Sequence, residues 1–293
     1  MKIAELFTAA SHTFSFEFFP PKDEISAVDF GINVGQLLRF NPSFVSVTYG
    51  AGGSSQERTF GLVDYLQNKI GLNTMAHYTC VGAARDKISH DMDLLMRMGI
   101  ENLMLLRGDP PKGSEQFVPP KNGFGHANDL ISFVKENFSF SVGAAAYPEK
   151  HPESVSLDDD LEKLSIKYKA GADFLITQFF FNNESYYRFV EKARNAGVHC
   201  RIIPGIIPIT NFRQIKRYVD MTGAVFPADL LEKLESHQDN AEKTYQIGID
   251  HAIKQCVDLL KHGAPGLHFY TLNKSRAAVE VFESLPQEVM KGM

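Results

Sequence analysis

Tryptophan is absent from the 293 residues, and cysteine occurs only at Cys80, Cys200 and Cys256, with no CxxC spacing. That excludes a disulfide framework or a cysteine-built zinc site, and it fits a reducing compartment. No stretch approaches the roughly 18 uninterrupted apolar residues of a membrane span. The amino-terminal MKIAELFTAASHTF carries Glu5 and no sustained apolar core, unlike a secretory signal. A basic excess is missing too: the formal net charge of −5 leaves no footprint for nucleic acid or an anionic membrane surface. A cytoplasmic protein is expected. No strand-like run is followed by GxGxxG, since the nearest approach, GAGGSS (50–55), has Ser55 where the third glycine belongs. There is no GxSxG elbow, no plausible Cys–His set and no His/carboxylate group with metal spacing, so neither covalent catalysis nor a catalytic metal is expected.

What is present is an ordinary globular composition, 44% hydrophobic and 22% charged. Eight short apolar or aromatic runs stand apart: FSFEF (14–18), FVSVTY (44–49), TMAHYT (74–79), NLMLLRG (102–108), FSVGAAAY (140–147), FLITQFFF (174–181), RIIPGI (201–206) and LHFYTL (267–272). The segments between them have helical spacing, as in LEKLSIKYKAGAD, where Leu161, Leu164 and Tyr168 form one stripe. Gly99, Gly171 and Gly197 each stand between a helix and the next strand, where glycine can take the left-handed conformation that ends a helix. Eight strand–helix alternations without a linker predict an α/β fold of the (β/α)₈ TIM-barrel type, one catalytic barrel domain over 1–293. The last interval is doubled, and 211–221 and 227–262 read as helices, so an extra helical segment is expected between strands 7 and 8.

In such a barrel the site lies at the carboxyl ends of the strands. Polar groups gather there: Glu17, Thr48, Tyr49, His77, Thr79, Arg107, Asp109, Tyr147, Gln178, Tyr270 and Asn273. Glu17 lies on the strand face opposite Phe14, Phe16 and Phe18. A buried acid either meets an Arg or Lys partner or has its pKa raised for use as an acid; a convergent polar mouth favours the second reading. In LLRGDPP, Gly108 allows a flat ligand close approach, while an Arg107–Asp109 ion pair is the structural alternative. Gln178 suits an amide-edged heterocycle, or else bonds to backbone.

Taken in order, FSFEFFPPK, FVSVTYGAGG, AHYTC, LLRGDPP, AAYPEKHPE, ITQFFF, IIPGIIPITN and HFYTLN resemble the methylenetetrahydrofolate reductase family over roughly residues 14 to 285. The resemblance implies a (β/α)₈ barrel that binds FAD without a Rossmann fold. It implies NADH or NADPH as electron donor for ping-pong reduction of 5,10-methylenetetrahydrofolate to 5-methyltetrahydrofolate, the methyl source for methionine synthesis. It makes Glu17 the general acid at folate N10, with a pKa raised by desolvation, and Asp109 the charge between flavin and pterin. Flavin-contacting positions match Thr48, Tyr49, Ala51, His77, Arg107, Gly108, Asp109, Ala127, Tyr147, His151, Asp160 and Lys167. Substrate positions match Gln178, Gln214, Tyr218 and Lys274. Three residues depart from the family pattern: Tyr218 replaces a stacking Phe, Lys274 replaces an Arg fork, and His126 replaces a Tyr. The length matches the short bacterial form, and a homo-oligomer, dimer or tetramer, is expected.

Two other classes compete with this one. A proline dehydrogenase-like flavin barrel needs a carboxylate-binding arginine pair near the last strand, which HFYTLNKSR does not plainly provide. A binding module without turnover has no reason to keep both Glu17 and Gln178.

Overall fold

The computed structural model describes residues 1–9, 12–49, 56–109, 117–286 and 288. Among these, nine parallel strand segments form one sheet: β1 (Thr13–Phe18), β2 (Phe44–Val47), β3 (Thr74–Thr79), β4 (Asn102–Leu106), β5 (Ser141–Ala146), β6 (Phe174–Thr177), β7 (Arg201–Ile203), β8 (Gly205–Ile206) and β9 (Gly266–Tyr270). β7 and β8 are one run interrupted at Pro204, whose ring leaves no backbone N–H for the ladder. The first piece pairs with β6 and the second with β9, while β9 also pairs with β1. The eight expected runs therefore close into a barrel, with RIIPGI turning between its two neighbours.

Helices follow the strands in the expected alternation: α2 (Glu24–Leu38), α3 (Gln56–Asp64, continued by a π-helical turn at Tyr65–Ile70), α4 (Arg85–Arg97), α5 (Ala127–Asn137), α6 (Leu157–Lys169) and α7 (Asn183–Asn195). Gly99, Gly171 and Gly197 have φ of 76°, 113° and 81°, the left-handed conformation expected of them. Phe14 and Phe16 pack edge-on or tilted against Phe282, and Phe18 against Phe30, so the aromatic face of β1 looks outward into the helices. Ser15 and Glu17, on the alternate face, look into the barrel.

Two features go beyond the sequence reading. A short α1 (Ile3–Ala9) seals the amino-terminal end of the barrel. Its Ile3 packs with Phe44, Met75, Met104, Phe174, Ile176 and Ile203. Its first free N–H groups are taken by barrel side chains: Ile3 N–H donates to Asn102 Oδ1 at 2.7 Å and Ala4 N–H to Ser141 Oγ at 3.2 Å. The helical excursion before β9 is also divided differently. It comprises α8 (Phe212–Thr222), α9 (Ala228–Ser236) and α10 (Ala241–Lys261), so the helix expected over 227–262 breaks at 237–240. Asn240 starts α10 by accepting the Lys243 N–H at 3.0 Å, and such a cap is a stronger local signal than the apolar period that runs through it. α11 (Arg276–Ser284) completes the ring.

Candidate active site

The strand ends enclose two chambers of about 470 Å³ each, which share Tyr49, Asp109, Tyr147 and Gln178 among their walls. The first runs outward along β4 and β5 and adds Arg107, Gly108, Ala127, His151 and Lys167. The second sits over the barrel axis and adds Glu17, Thr48, His77 and Tyr218. Met221 and Thr222, in the last turn of α8, wall both. A third cavity of about 360 Å³ holds Gln214 and Lys274, beside Tyr270. Of the residues singled out from sequence, His126, Asp160 and Asn273 line none of these three, and Ala51 lies outside the described residues.

Glu17 is 7% exposed, inside a cluster supplied by three strands. Its Oε2 lies 3.3 Å from His77 Nε2 and 3.5 Å from His268 Nε2, and accepts from Ser46 Oγ at 3.4 Å. The partner of the buried acid is therefore neither Arg nor Lys but a pair of imidazoles. His268 is in turn fixed by a 2.7 Å contact between its Nδ1 and Ser15 Oγ. Burial pushes the Glu17 carboxyl up, but the His268 hydrogen bond, the charges of His77 and His268 and the Ser46 hydroxyl outweigh it. The net shift is downward. This corrects the expectation of a raised pKa: desolvation is present, as the aromatic strand implied, and it is overcome by groups from β2, β3 and β9. Burial conversely lowers His77, against the attraction of Glu17.

Arg107 forks onto Glu153 at 2.6 and 2.8 Å and does not pair with Asp109. Glu153 lies near the end of AAYPEKHPE, and only the folded loop brings it to Arg107. Gly108 has φ of 89°, and a Cβ there would lie 2.9 Å from Thr79, so its turn excludes any larger residue. The loop after β5 is bound together from within. Asp160 accepts from His151 N–H at 3.1 Å and Ser154 Oγ at 3.2 Å, and so holds the loop that presents Tyr147 and His151. The Tyr147 and His151 rings meet edge-on at 4.6 Å. Burial lowers His151 and raises Tyr147 to about 12. Lys167 donates to the Ala145 carbonyl at 2.6 Å, and burial brings it down to about 8 against the pull of Asp160.

Gln178 Oε1 accepts the Phe179 N–H at 3.0 Å, so the backbone reading is met while the side chain still walls both chambers. Gln214 Nε2 donates to Tyr218 Oη at 3.0 Å, joining two residues that line different cavities. Asn273 serves the scaffold. Its side chain accepts from Phe19 N–H and donates to Phe19 C=O, both at 2.8 Å, lacing the exits of β1 and β9 together. Sequence reasoning missed His268, Ser46, Glu153 and Met221. Strand alternation places His268 on the same face as Tyr270 and Ser46 on the same face as Thr48, which would have found both; Glu153 and Met221 carry no comparable local signal.

The chain is 36% identical to methylenetetrahydrofolate reductase (NADH) 1 of Arabidopsis thaliana over 97% of its length, and spans about half (50%) of that relative. It is 37% identical to the 5,10-methylenetetrahydrofolate reductase of Escherichia coli, covering 92% of this chain and 90% of that one. In fold it resembles an uncharacterized Clostridium thermocellum protein that binds two copies of 5-methyl-5,6,7,8-tetrahydrofolic acid (TM-score 0.62, 14% identity, 96% of each chain). It also resembles an oxaloacetate acetylhydrolase (TM-score 0.51, 9% identity, 97% and 82% covered). The sequence profile of the methylenetetrahydrofolate reductase family matches residues 2–286, and the chain belongs to that family.

Proposed function

We propose that this chain is a single catalytic barrel that reduces 5,10-methylenetetrahydrofolate to 5-methyltetrahydrofolate with electrons from NADH or NADPH, using FAD, and so supplies methyl groups for methionine synthesis. The observation that carries the reading is the pair of chambers sharing Asp109, Tyr147 and Gln178, one adding Arg107, Glu153 and Lys167 and the other holding Glu17.

The first chamber suits a long anionic cofactor. Arg107 and Lys167 offer positive charge to phosphate, and Thr79 Oγ1 is buried there with no hydrogen-bond partner among the described residues. Thr48, Tyr49, His77, Gly108, Ala127, Tyr147 and His151 would complete the flavin surface, with Asp160 bracing His151. FAD bound there would supply hydride transfer between the nicotinamide and the folate. Everything else falls to the chain. Gln178, Tyr218, Gln214 and Lys274 hold the folate, and the use of one chamber for nicotinamide and pterin in turn makes the kinetics ping-pong. Asp109 places negative charge beside the cation that develops as the methylene bridge opens. With ring systems seated over it, Glu17 takes up a proton at a carboxyl oxygen and gives it to folate N10. Those rings strip away the remaining water, adding to the burial that already opposes its ionisation. The protein acts in the cytoplasm as a homo-oligomer, a dimer or tetramer.

The test is the visible spectrum under anaerobic conditions. NADH is expected to bleach the flavin bands of the FAD-loaded protein, and methylenetetrahydrofolate to restore them. Glu17→Gln should bleach with NADH and stay bleached with folate. Wild-type protein that takes up no FAD, or that folate cannot reoxidise, would refute the reading.

A further inference from the structure

We propose that Glu149 is a positioning residue that ties the carboxyl end of α8 to the loop after β5 and thereby sets how α8 sits over the chamber that holds Glu17. The inference rests on the reading of that chamber as the folate site.

Glu149 lies between Tyr147 and His151 in sequence, yet it faces the other way. Those two wall the first chamber, whereas Glu149 lines a separate cavity with Arg188, Val225 and Phe226. Its two oxygens join two other elements. Oε1 accepts from Ser185 Oγ in the first turn of α7 at 3.2 Å, and Oε2 accepts from the Val225 N–H at 3.0 Å. Val225 is three residues beyond Thr222, so a single carboxylate lies just past the turn that gives Met221 and Thr222 to both chambers.

The rest of α8 is held differently. Phe212 and Ile215 anchor its amino-terminal half in an apolar cluster with Ile207 and Ile209. Gly223, with φ of 74°, ends the helix, and the link that follows has its N–H bond at Glu149 before Phe226 stacks on Phe181 at 4.6 Å. The platform that carries Glu149 is itself fixed. Lys150 keeps a left-handed φ of 93°, held by its N–H to Tyr147 C=O at 3.2 Å and its Nζ to Ser154 C=O at 2.6 Å. Tyr147 and His151 on one side, and the end of α8 on the other, therefore take their positions from one loop.

The carboxyl of Glu149 is raised by burial, opposed by the Val225 and Ser185 hydrogen bonds and the nearby Arg188. A neutral glutamine is thus a fair substitute. Its carbonyl can accept from Val225 N–H while its amide donates to Ser185 Oγ. Alanine removes both bonds, and aspartate is one methylene too short to span both donors.

The experiment compares wild type, E149A, E149D and E149Q in three readouts: KM for methylenetetrahydrofolate, FAD affinity, and hydrogen exchange at the Val225 amide. E149A and E149D should raise the folate KM about tenfold, the size of one charge-assisted hydrogen bond, and speed exchange at Val225. FAD affinity should fall by less than the folate KM rises, because Met221 and Thr222 wall both chambers but Arg107, His151 and Lys167 belong to the first alone. E149Q should restore both folate KM and Val225 protection. Should E149A fail to fold, E149D against E149Q decides. Wild-type KM and Val225 protection in E149D, or a glutamine variant as impaired as the aspartate, would overturn the proposal. A wild-type protein inactive on folate would instead sink the functional reading, while exchange at Val225 would still report the tie.

Discussion

Glu17 and Lys167 share a difficulty, since each is an ionisable group taken largely out of water, and the chain resolves it in opposite ways. Glu17 is given two imidazoles and a hydroxyl, and these hold it below its ordinary value of 4.5 despite burial. Its contribution to stability is therefore present above that value and lost as falling pH protonates it. On the proposed reading, the same partners tune the acid. His268→Gln removes a hydrogen bond and a charge that favour the carboxylate, so the Glu17 pKa must rise. The alkaline limb of the folate half-reaction, followed by stopped-flow reoxidation, is expected to move to higher pH; an unmoved limb would detach His268 from the acid. Among the described residues Lys167 has no carboxylate in hydrogen-bond contact, and burial lowers it to about 8. FAD affinity should accordingly fall as pH rises through that value, because the neutral amine no longer attracts phosphate. Lys167→Met should weaken binding about tenfold and abolish this pH dependence, which a fluorescence titration of FAD at several pH values would read.

Among the elements, α1 and α8 close opposite ends of the barrel by different means. α1 enters the interior: Ile3 is fully buried and the helix start is capped by Asn102 and Ser141 from the strands. Ile3→Ala should cost about 2–5 kcal/mol in urea unfolding, through lost transfer energy and a cavity among Phe44, Met75 and Phe174. Because the chambers lie at the other end, activity at permissive temperature should be unchanged. α8 covers its end from outside, with an apolar foot at Phe212 and Ile215 and a polar tie at Glu149.

At the level of the molecule, α2 poses a question that the barrel leaves open. Its inner face is core, through Phe30, Val34 and Leu37, yet Ile25, Val28 and Ile32 on the other side are 80, 64 and 58% exposed. A helix apolar on both faces ordinarily has both covered. In a homo-oligomer this stripe is the surface expected to be buried between copies. Sedimentation should show a dimer or tetramer, and Ile32→Glu should lower the mass while leaving FAD binding in place. A wild-type monomer, or an assembly indifferent to the substitution, would move the interface elsewhere or remove it.

The eight runs, their alternation with helices and the polar character of their carboxyl ends were legible without coordinates, because strand and helix periods are local and a parallel barrel puts every strand end on one side. The family motifs belong to the same level: FSFEF, LLRGDPP and HFYTLN each carry their residues within a few positions. The charge state of Glu17 did not belong to it. That state depends on Ser46, His77 and His268, the last of them separated from Glu17 by almost the whole chain and brought beside it by the pairing of β1 with β9. The same holds for Arg107 meeting Glu153, for Glu149 reaching Val225, and for α1 filling the barrel floor. Sequence determined which groups stand at the mouth. Register, closure and burial decided which of them touch, and through those contacts where the protons sit.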